Sequence, residues 1–384
     1  VSMLFDTLDP RLSVALHSIK EVEIETTPLA ELTTLHVGGH PLATVRCRTK
    51  QACIDVLRKC DEHQVEVLIV GGGSNLVVAD GKLPMIAVVL DFDEIVLDLE
   101  TGVGYAEAGA VWDDFVDLSI KAGFGGLECL SGIPGSVGAT PVQNVGAYGV
   151  EIADVLTEVE LYFRDTDERA WLAASHLDLR YRHSNLKYQD RVVVLAVKMA
   201  LNKDGLSQPI RFGELARALG IEADEPQARR EAARVRDEVL RLRKAKGMVY
   251  DEADYDSWSA GSFFTNPIVS IKEAAFVREI VQEMDPELAR TMPEYEVGEG
   301  LRKLSAAWLI DRAGFAKGFP NGAVASLSTK HTLALTNRGT ATAADIVALA
   351  AQIRDGVFEK FGVELVPEPV WVGIKMPELP NGEA

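Results

Sequence analysis

The chain has 384 residues, 47% of them apolar, with 39 Lys+Arg against 58 Asp+Glu and a net charge of −19. That length suffices for two or three domains with sizeable cores. A global field of this sign repels nucleic acid and anionic membrane, so neither is expected as a partner, and an anionic substrate requires basic side chains gathered locally.

Residues 1–28 have no basic segment followed by an apolar core, so they read as an extension rather than a secretion signal. Residues 49–63 carry Ala52, Val56 and Leu57 at helical spacing and lead into VEVLIV (65–70), a buried strand by its β-branched content. That strand runs into Gly71, Gly72, Gly73, Ser74 and Asn75, a glycine loop at the carboxyl end of a strand, where ligands tend to bind. A second apolar run, Met85–Leu90, follows Gly81. Residues 95–120 read as strand, strand, then a helix from near Val111, and strands recur near 157–163 and 191–200.

The pattern changes near residue 205. Residues 226–246 predict a charged amphipathic helix ending at Gly247, residues 303–313 a helix stopped by Gly314, and residues 343–361 a third stopped by Gly362, with Thr342 and Asp345 as a capping box. LVPEPVWVG (365–373) is strand-like. No apolar run reaches membrane-spanning length, and a cytoplasmic protein is expected. Cys47, Cys53, Cys60 and Cys129 have no CxxC spacing and no paired histidines, so no metal site is expected; free buried thiols in a reducing compartment are the simpler account.

The most informative stretch is LSGIPGSVGATPVQNVGAYGVE (130–151). No charge lies between Glu128 and Glu151, yet five glycines and two prolines exclude an unbroken apolar helix. Two readings are open from composition: tight turns in a buried β-region, or backbone N–H groups arranged to hold phosphate oxygens. Neither this loop nor 71–75 has the GxGxxG of a Rossmann turn or the GxxxxGK[ST] of a P-loop, so a dinucleotide would be held by two separated loops, with TTLHVGGHP (33–41) as a third contact.

TTLHVGGHP, VLIVGGGSNLVV, LSGIPGSVGATPVQNVGAYGVE, YRHSNLK (181–187), SAGSFFTNP (259–267), KLSAAWLIDRAGFAKG (303–318) and PEPVW (367–371) occur in that order. The series resembles the UDP-N-acetylenolpyruvoylglucosamine reductases, flavoenzymes of peptidoglycan synthesis, from about residue 30 to 373. The resemblance implies an α+β chain: a two-part FAD-binding domain of the vanillyl-alcohol-oxidase (PCMH) type over 29–205, a separate α+β substrate-binding domain over 206–365, and a C-terminal strand and tail (366–384) returning to the active site. It implies tightly but non-covalently held FAD, NADPH as co-substrate, a UDP-sugar substrate and a monomer.

Residue by residue, the resemblance assigns FAD to Gly71, Gly72, Gly73, Ser74 and Asn75 and to Ser131, Gly132, Ile133, Pro134, Gly135 and Gly138. Arg182 matches the arginine that stabilises the enolate, Ser262 the proton donor, and Glu368 a glutamate assisting either step. Each has a plainer alternative: a salt bridge, a loop residue and a solvated edge carboxylate. Tyr181, Lys246, Asn266 and His331 match substrate contacts, although Lys246 can instead complement its helix dipole and His331 can be an ordinary core or surface histidine. Two positions depart from the pattern. Phe212 stands where many relatives have a loop tyrosine over the diphosphate, and Val370 where many have an arginine near the flavin.

Overall fold

The computed structural model describes residues 8–211, 213–222, 225 and 227–379. Phe212 lies outside them. The chain forms two compact units. The first comprises the residues up to Leu32, Gly39–Gly73 and Gly81–Val249; the second comprises Thr33–Gly38, Ser74–Asp80 and the chain from Tyr250 onward.

Two sheets organise the first unit. One places Val22–Glu25, His40–Cys47, Lys82–Leu90 and Glu66–Val70 side by side, with the last three parallel. The helix Lys50–Glu62 starts on Thr49, whose hydroxyl accepts the Ala52 N–H, and buries Cys53, Val56, Leu57 and Cys60 in the core. The other sheet is antiparallel, in the order Glu168–Ala173, Leu156–Phe163, Val192–Ala200, Val103–Glu107, Ile95–Leu97. Its central strand is apolar nearly throughout, as a strand covered on both faces must be. The four cysteines are free and buried.

The expected break near 205 does not coincide with this division. The helix Ala232–Ala245 sets Val235, Val239 and Leu242 on one stripe, and that stripe joins the first unit's core with Trp112, Val159 and Leu130. This helix is also shorter than the expected 226–246. Ser207 N–H donates to the Arg230 carbonyl, and Leu206 bridges Glu231, so the backbone before Ala232 is taken up in extended pairing. Its end is as expected: Gly247 has φ +65, and the Met248 N–H reaches back to the Arg243 carbonyl.

The second unit is built on the helix Ala343–Phe361, which has the expected Thr342–Asp345 capping box and a left-handed Gly362 at its end. The predicted helix over 303–313 is Ala306–Arg312, because Leu301–Leu304 forms the centre of a three-stranded sheet with Ile268–Ser270 and Glu294–Gly298. Ile271–Met284 is a further helix, opened by a Ser270–Glu273 capping box. Of the strand-like tail, Val370–Val372 pairs, in parallel with Leu76–Val78. Among the described residues, no helix is long and apolar enough to cross a membrane.

Candidate active site

In the first unit the two glycine loops close on each other. A Cβ on Gly71 would meet Ser136 Oγ at 2.1 Å, and one on Gly72 would meet Gly135 Cα at 2.5 Å. At Gly72 the neighbour is backbone and only hydrogen fits; at Gly71 an added Cβ would force the Ser136 hydroxyl aside. Ser136 Oγ is buried without a hydrogen-bond partner. Among the described residues, the N–H groups of Gly72, Ile133, Gly135 and Ser136 have no intramolecular acceptor. Unpaired N–H groups gathered on two facing loops, beside a buried unpartnered hydroxyl, offer donors to a ligand or to water.

The 131–138 loop is fastened to the start of the helix Trp112–Lys121. Trp112 N–H donates to the Gly135 carbonyl (3.0 Å), Val137 N–H to Ala110 (2.8 Å) and the Trp112 indole to Leu130 (2.9 Å). Gly132, at φ +69, donates its N–H to Asp113 Oδ1 at 2.6 Å. Asp113 is in turn gripped by Arg236 through two bonds of 2.7 and 2.9 Å. Burial pushes the Asp113 carboxyl up, but Arg236 and the Gly132 N–H outweigh it and hold it below the usual carboxylate range. Beneath the loop, burial pulls the Arg243 guanidinium down to about 10. Its Nη2 donates to the Met248 carbonyl, and its Nε has no partner.

The assigned cofactor residues therefore differ in what they can give. Ser131 is fully buried, and both its N–H and its hydroxyl go to the Glu128 carbonyl. The Gly132 N–H belongs to Asp113. The Gly138 N–H goes to Ala108, against whose Cβ a side chain would stand at 2.5 Å, so Gly138 is a packing glycine. Gly71, Gly72, Ile133, Pro134, Gly135 and Ser136 remain as the open face. In the second unit, the Asn75 carbonyl accepts the Val370 N–H, and Asn75 Nδ2 is buried without a partner. That bond is the visible role of the Val370 backbone.

The rest of the uncharged run does something else. Gly146–Ala147 and Val150–Glu151 pair as a small hairpin, turned by Tyr148 and Gly149 at φ +53 and +83. This hairpin holds the Arg182 turn. Arg180 and His183 exchange both N–H···O bonds at 3.0 Å, leaving Tyr181 and Arg182 at the tip. Arg182 sits at φ +52, a conformation that costs a non-glycine residue about 1–2 kcal/mol. Its Nη2 donates to the Gly146 carbonyl at 2.6 Å, Glu151 Oε1 is 3.9 Å from its Nη1, and its guanidinium lies 5.1 Å from the centre of the Tyr181 ring. Ser184 Oγ adds a bond to the Val142 carbonyl. Strain held by several surrounding bonds is typical of functional positions.

In the second unit, Ser262 and Glu368 come from segments 106 positions apart yet lie on neighbouring backbones. Phe264 bridges Pro367, the Glu368 N–H donates to the Phe263 carbonyl at 2.9 Å, and the Thr265 N–H to Val366 at 3.0 Å. Prolines on both sides of Glu368 suit an edge segment that gives few N–H groups to a ladder. Gly261, at φ +74, turns the chain just before Ser262. Both residues are half-buried, and among the described residues the Ser262 hydroxyl makes no hydrogen bond.

The other assigned substrate contacts are already engaged. Lys246, directly after the helix Ala232–Ala245, is paired at 2.5 Å with Glu214 of the helix Gly213–Ala218. Asn266 Oδ1 accepts the Ala306 N–H at the start of the helix Ala306–Arg312. His331 lies in the turn between Ala325–Leu327 and Leu335–Asn337, its N–H on Ser328 Oγ. Sequence reasoning did not single out Asp113, Ser136, Asn144 or Arg243. Asp113 and Arg243 act across 19 and 111 positions, a distance that leaves no local pattern.

The comparisons with known proteins agree with one another. The family model described as UDP-N-acetylenolpyruvoylglucosamine reductase, C-terminal domain, matches residues 253–372, and an FAD-binding-domain model matches residues 41–168. The UDP-N-acetylenolpyruvoylglucosamine reductase of Corynebacterium glutamicum (strain R) is 58% identical over 371 residues, 96% of this chain and 99% of that protein. The reductase of Corynebacterium diphtheriae is 57% identical over 375 residues, 97% and 95% of the two chains. Among solved structures, the UDP-N-acetylenolpyruvylglucosamine reductase of Thermus caldophilus matches with a TM-score of 0.62 at 25% identity, covering 91% of this chain and 99% of that one. A glycine cradle, a strained arginine and a serine–glutamate pair thus stand in a chain that belongs to the UDP-N-acetylenolpyruvoylglucosamine reductase family of FAD-dependent oxidoreductases.

Proposed function

We propose that this protein uses NADPH, through bound FAD, to reduce the enolpyruvyl group of UDP-N-acetylenolpyruvoylglucosamine to UDP-N-acetylmuramate, as a cytoplasmic monomer. The observation that carries the reading is Arg182, held in a costly backbone conformation by the hairpin Gly146–Glu151. A guanidinium fixed in this way is suited to one demanding task, meeting a carboxylate as its charge grows.

The residues present fit FAD. Gly72 leaves room for nothing but backbone, Ser136 Oγ is a buried polar atom awaiting a partner, and Gly72, Gly135 and Ser136 offer N–H groups to a diphosphate. When bound, FAD supplies the two-electron relay between NADPH and the substrate carbon.

Reduction at C3 of the enol ether develops negative charge at C2 and on the adjacent carboxylate. Arg182 neutralises that charge where it appears rather than where it starts, which is what lowers a barrier. Ser262 gives its hydroxyl proton to C2; a carbon base of this kind is strong enough to take a proton from an alcohol. Glu368, held by its own backbone bond to Phe263, assists the enolate or the proton delivery. Tyr181, Lys246, Asn266 and His331 contact the UDP-sugar, with Lys246 released from Glu214 when a diphosphate competes for its ammonium group.

The decisive experiment is a visible spectrum of the purified protein, followed by anaerobic addition of UDP-N-acetylenolpyruvoylglucosamine to the NADPH-reduced enzyme. A yellow protein that releases its colour on denaturation and is reoxidised by this substrate is expected. A colourless protein unable to take up FAD, or a reduced enzyme that the substrate leaves unchanged, would overturn the reading.

A further inference from the structure

Asn144 is fully buried and sits at φ +46. Glycine would serve that backbone equally well, so the asparagine side chain needs its own explanation. Its Nδ2 donates to the Arg180 carbonyl at 3.0 Å and to Glu151 Oε2 at 2.9 Å, and its Oδ1 accepts the Ala153 N–H at 2.9 Å. The Arg180 carbonyl is also the one that closes the Tyr181–Arg182 turn, through the His183 N–H. Glu151 is fixed by a reciprocal capping box with Asp154 and faces Arg182 Nη1 with its other oxygen. One buried amide thus ties the base of the arginine turn to the hairpin whose Gly146 carbonyl holds the arginine's tip.

We propose that Asn144 is a positioning residue for Arg182: it fixes the turn and Glu151 so that the guanidinium keeps the plane it needs at the substrate carboxylate. This inference rests on the role given to Arg182 above. A buried amide that makes three bonds to three segments is costly to leave half-satisfied, so the arrangement is all or nothing. A displacement of about 1 Å at such a group can lower a rate by about a hundredfold.

The test uses Asn144→Gly, which keeps the backbone preference and removes the amide, and Asn144→Asp, which keeps size and the Ala153 bond but cannot donate. Both should bind FAD and accept electrons from NADPH within about twofold of the parent. Reoxidation by the enolpyruvyl substrate should slow about tenfold or more in its limiting rate, with half-saturation changed less than about threefold. In an Arg182→Lys background, adding Asn144→Gly should cost little more, because the amide acts through the arginine. Parental reoxidation in Asn144→Gly, or losses that multiply in the double variant, would overturn the inference alone. Loss of FAD or of folding in both single variants would also overturn it, by making Asn144 a general structural residue. A parent enzyme that the substrate fails to reoxidise would instead sink the functional reading, and this inference with it.

Discussion

Replacing Gly72 by alanine tests the two-loop cradle at its tightest point. Gly72 lies outside the left-handed region, so alanine meets no backbone penalty and the effect is steric. The new Cβ would stand 2.5 Å from Gly135 Cα, 2.8 Å from Gly135 C and 3.1 Å from Ser136 N, where ordinary contact begins at 3.4 Å. All three are backbone atoms that cannot swing aside, so the loops must part by about 1 Å, at a cost of about 1–3 kcal/mol. A diphosphate bound by N–H groups from both loops then loses at least one charge-assisted bond, worth about 1.5–3 kcal/mol. At tenfold per 1.4 kcal/mol, FAD affinity should fall roughly 10- to 100-fold. Titration of deflavinated protein with FAD, read by quenching of flavin fluorescence, measures this directly. Gly138→Ala is the counterpart: its Cβ would stand 2.5 Å from Ala108 Cβ, but its N–H is already spent, so it should lower the melting temperature and leave the FAD dissociation constant within about threefold. Gly72→Ala binding FAD within threefold of the parent, or Gly138→Ala weakening it equally, would refute the assignment of the cradle.

Three further outcomes follow from the same geometry. Ser262→Ala should leave reduction by NADPH nearly intact and slow reoxidation by the enolpyruvyl substrate, since its proton is needed only in the second half-reaction; stopped-flow traces with both halves equally impaired would count against it. Asp113 is held below its ordinary value, so its contribution is complete above about pH 4 and is lost as the pH falls through the lowered value. FAD should therefore begin to leave below about pH 4, whereas Asp113→Asn should hold FAD more weakly at neutral pH and show a shallower acid limb; identical limbs in a fluorescence titration would reject the link. Gly362→Ala, at φ +66 after a 19-residue helix, should cost about 1–2 kcal/mol and lower the melting temperature by a few degrees, without changing FAD affinity.

Helices with apolar stripes and capped ends were legible in the sequence. Ala343–Phe361 is bounded by Thr342, Asp345 and Gly362, and the structure uses all three as expected. Ser270 and Glu273 spell the same box before Ile271–Met284, a signal available but not taken up. What stayed hidden depended on partners far along the chain. The residues before Ala232 have helical composition but pair with 206–210 instead, because open N–H groups there find carbonyls ready. At the site, glycine spacing pointed to loops 71–75 and 131–135, yet could not tell the open N–H of Gly135 from the occupied one of Gly132. That difference lies in Asp113, 19 positions away. Nor could spacing show that half of the uncharged run braces an arginine; it takes the register of Gly146–Glu151 against the Arg180–His183 turn to see it.

The parallel pairing of Leu76–Val78 with Val370–Val372 has a consequence for how the molecule comes into being. The short strand Leu76–Val78 finds its neighbour only when the chain has been made through Val372. Asn75, whose carbonyl takes the Val370 N–H, shares that wait. During synthesis the first unit can close its glycine loops early, while the segments 33–38 and 74–80 remain without the body they belong to. Cutting the chain after Val249 would therefore yield one fragment that holds the whole first unit and a second that lacks segments 33–38 and 74–80 of its own unit. The second fragment should recover its structure only when the first lends it those two short segments, which makes fragment complementation, rather than separate expression, the natural way to study it.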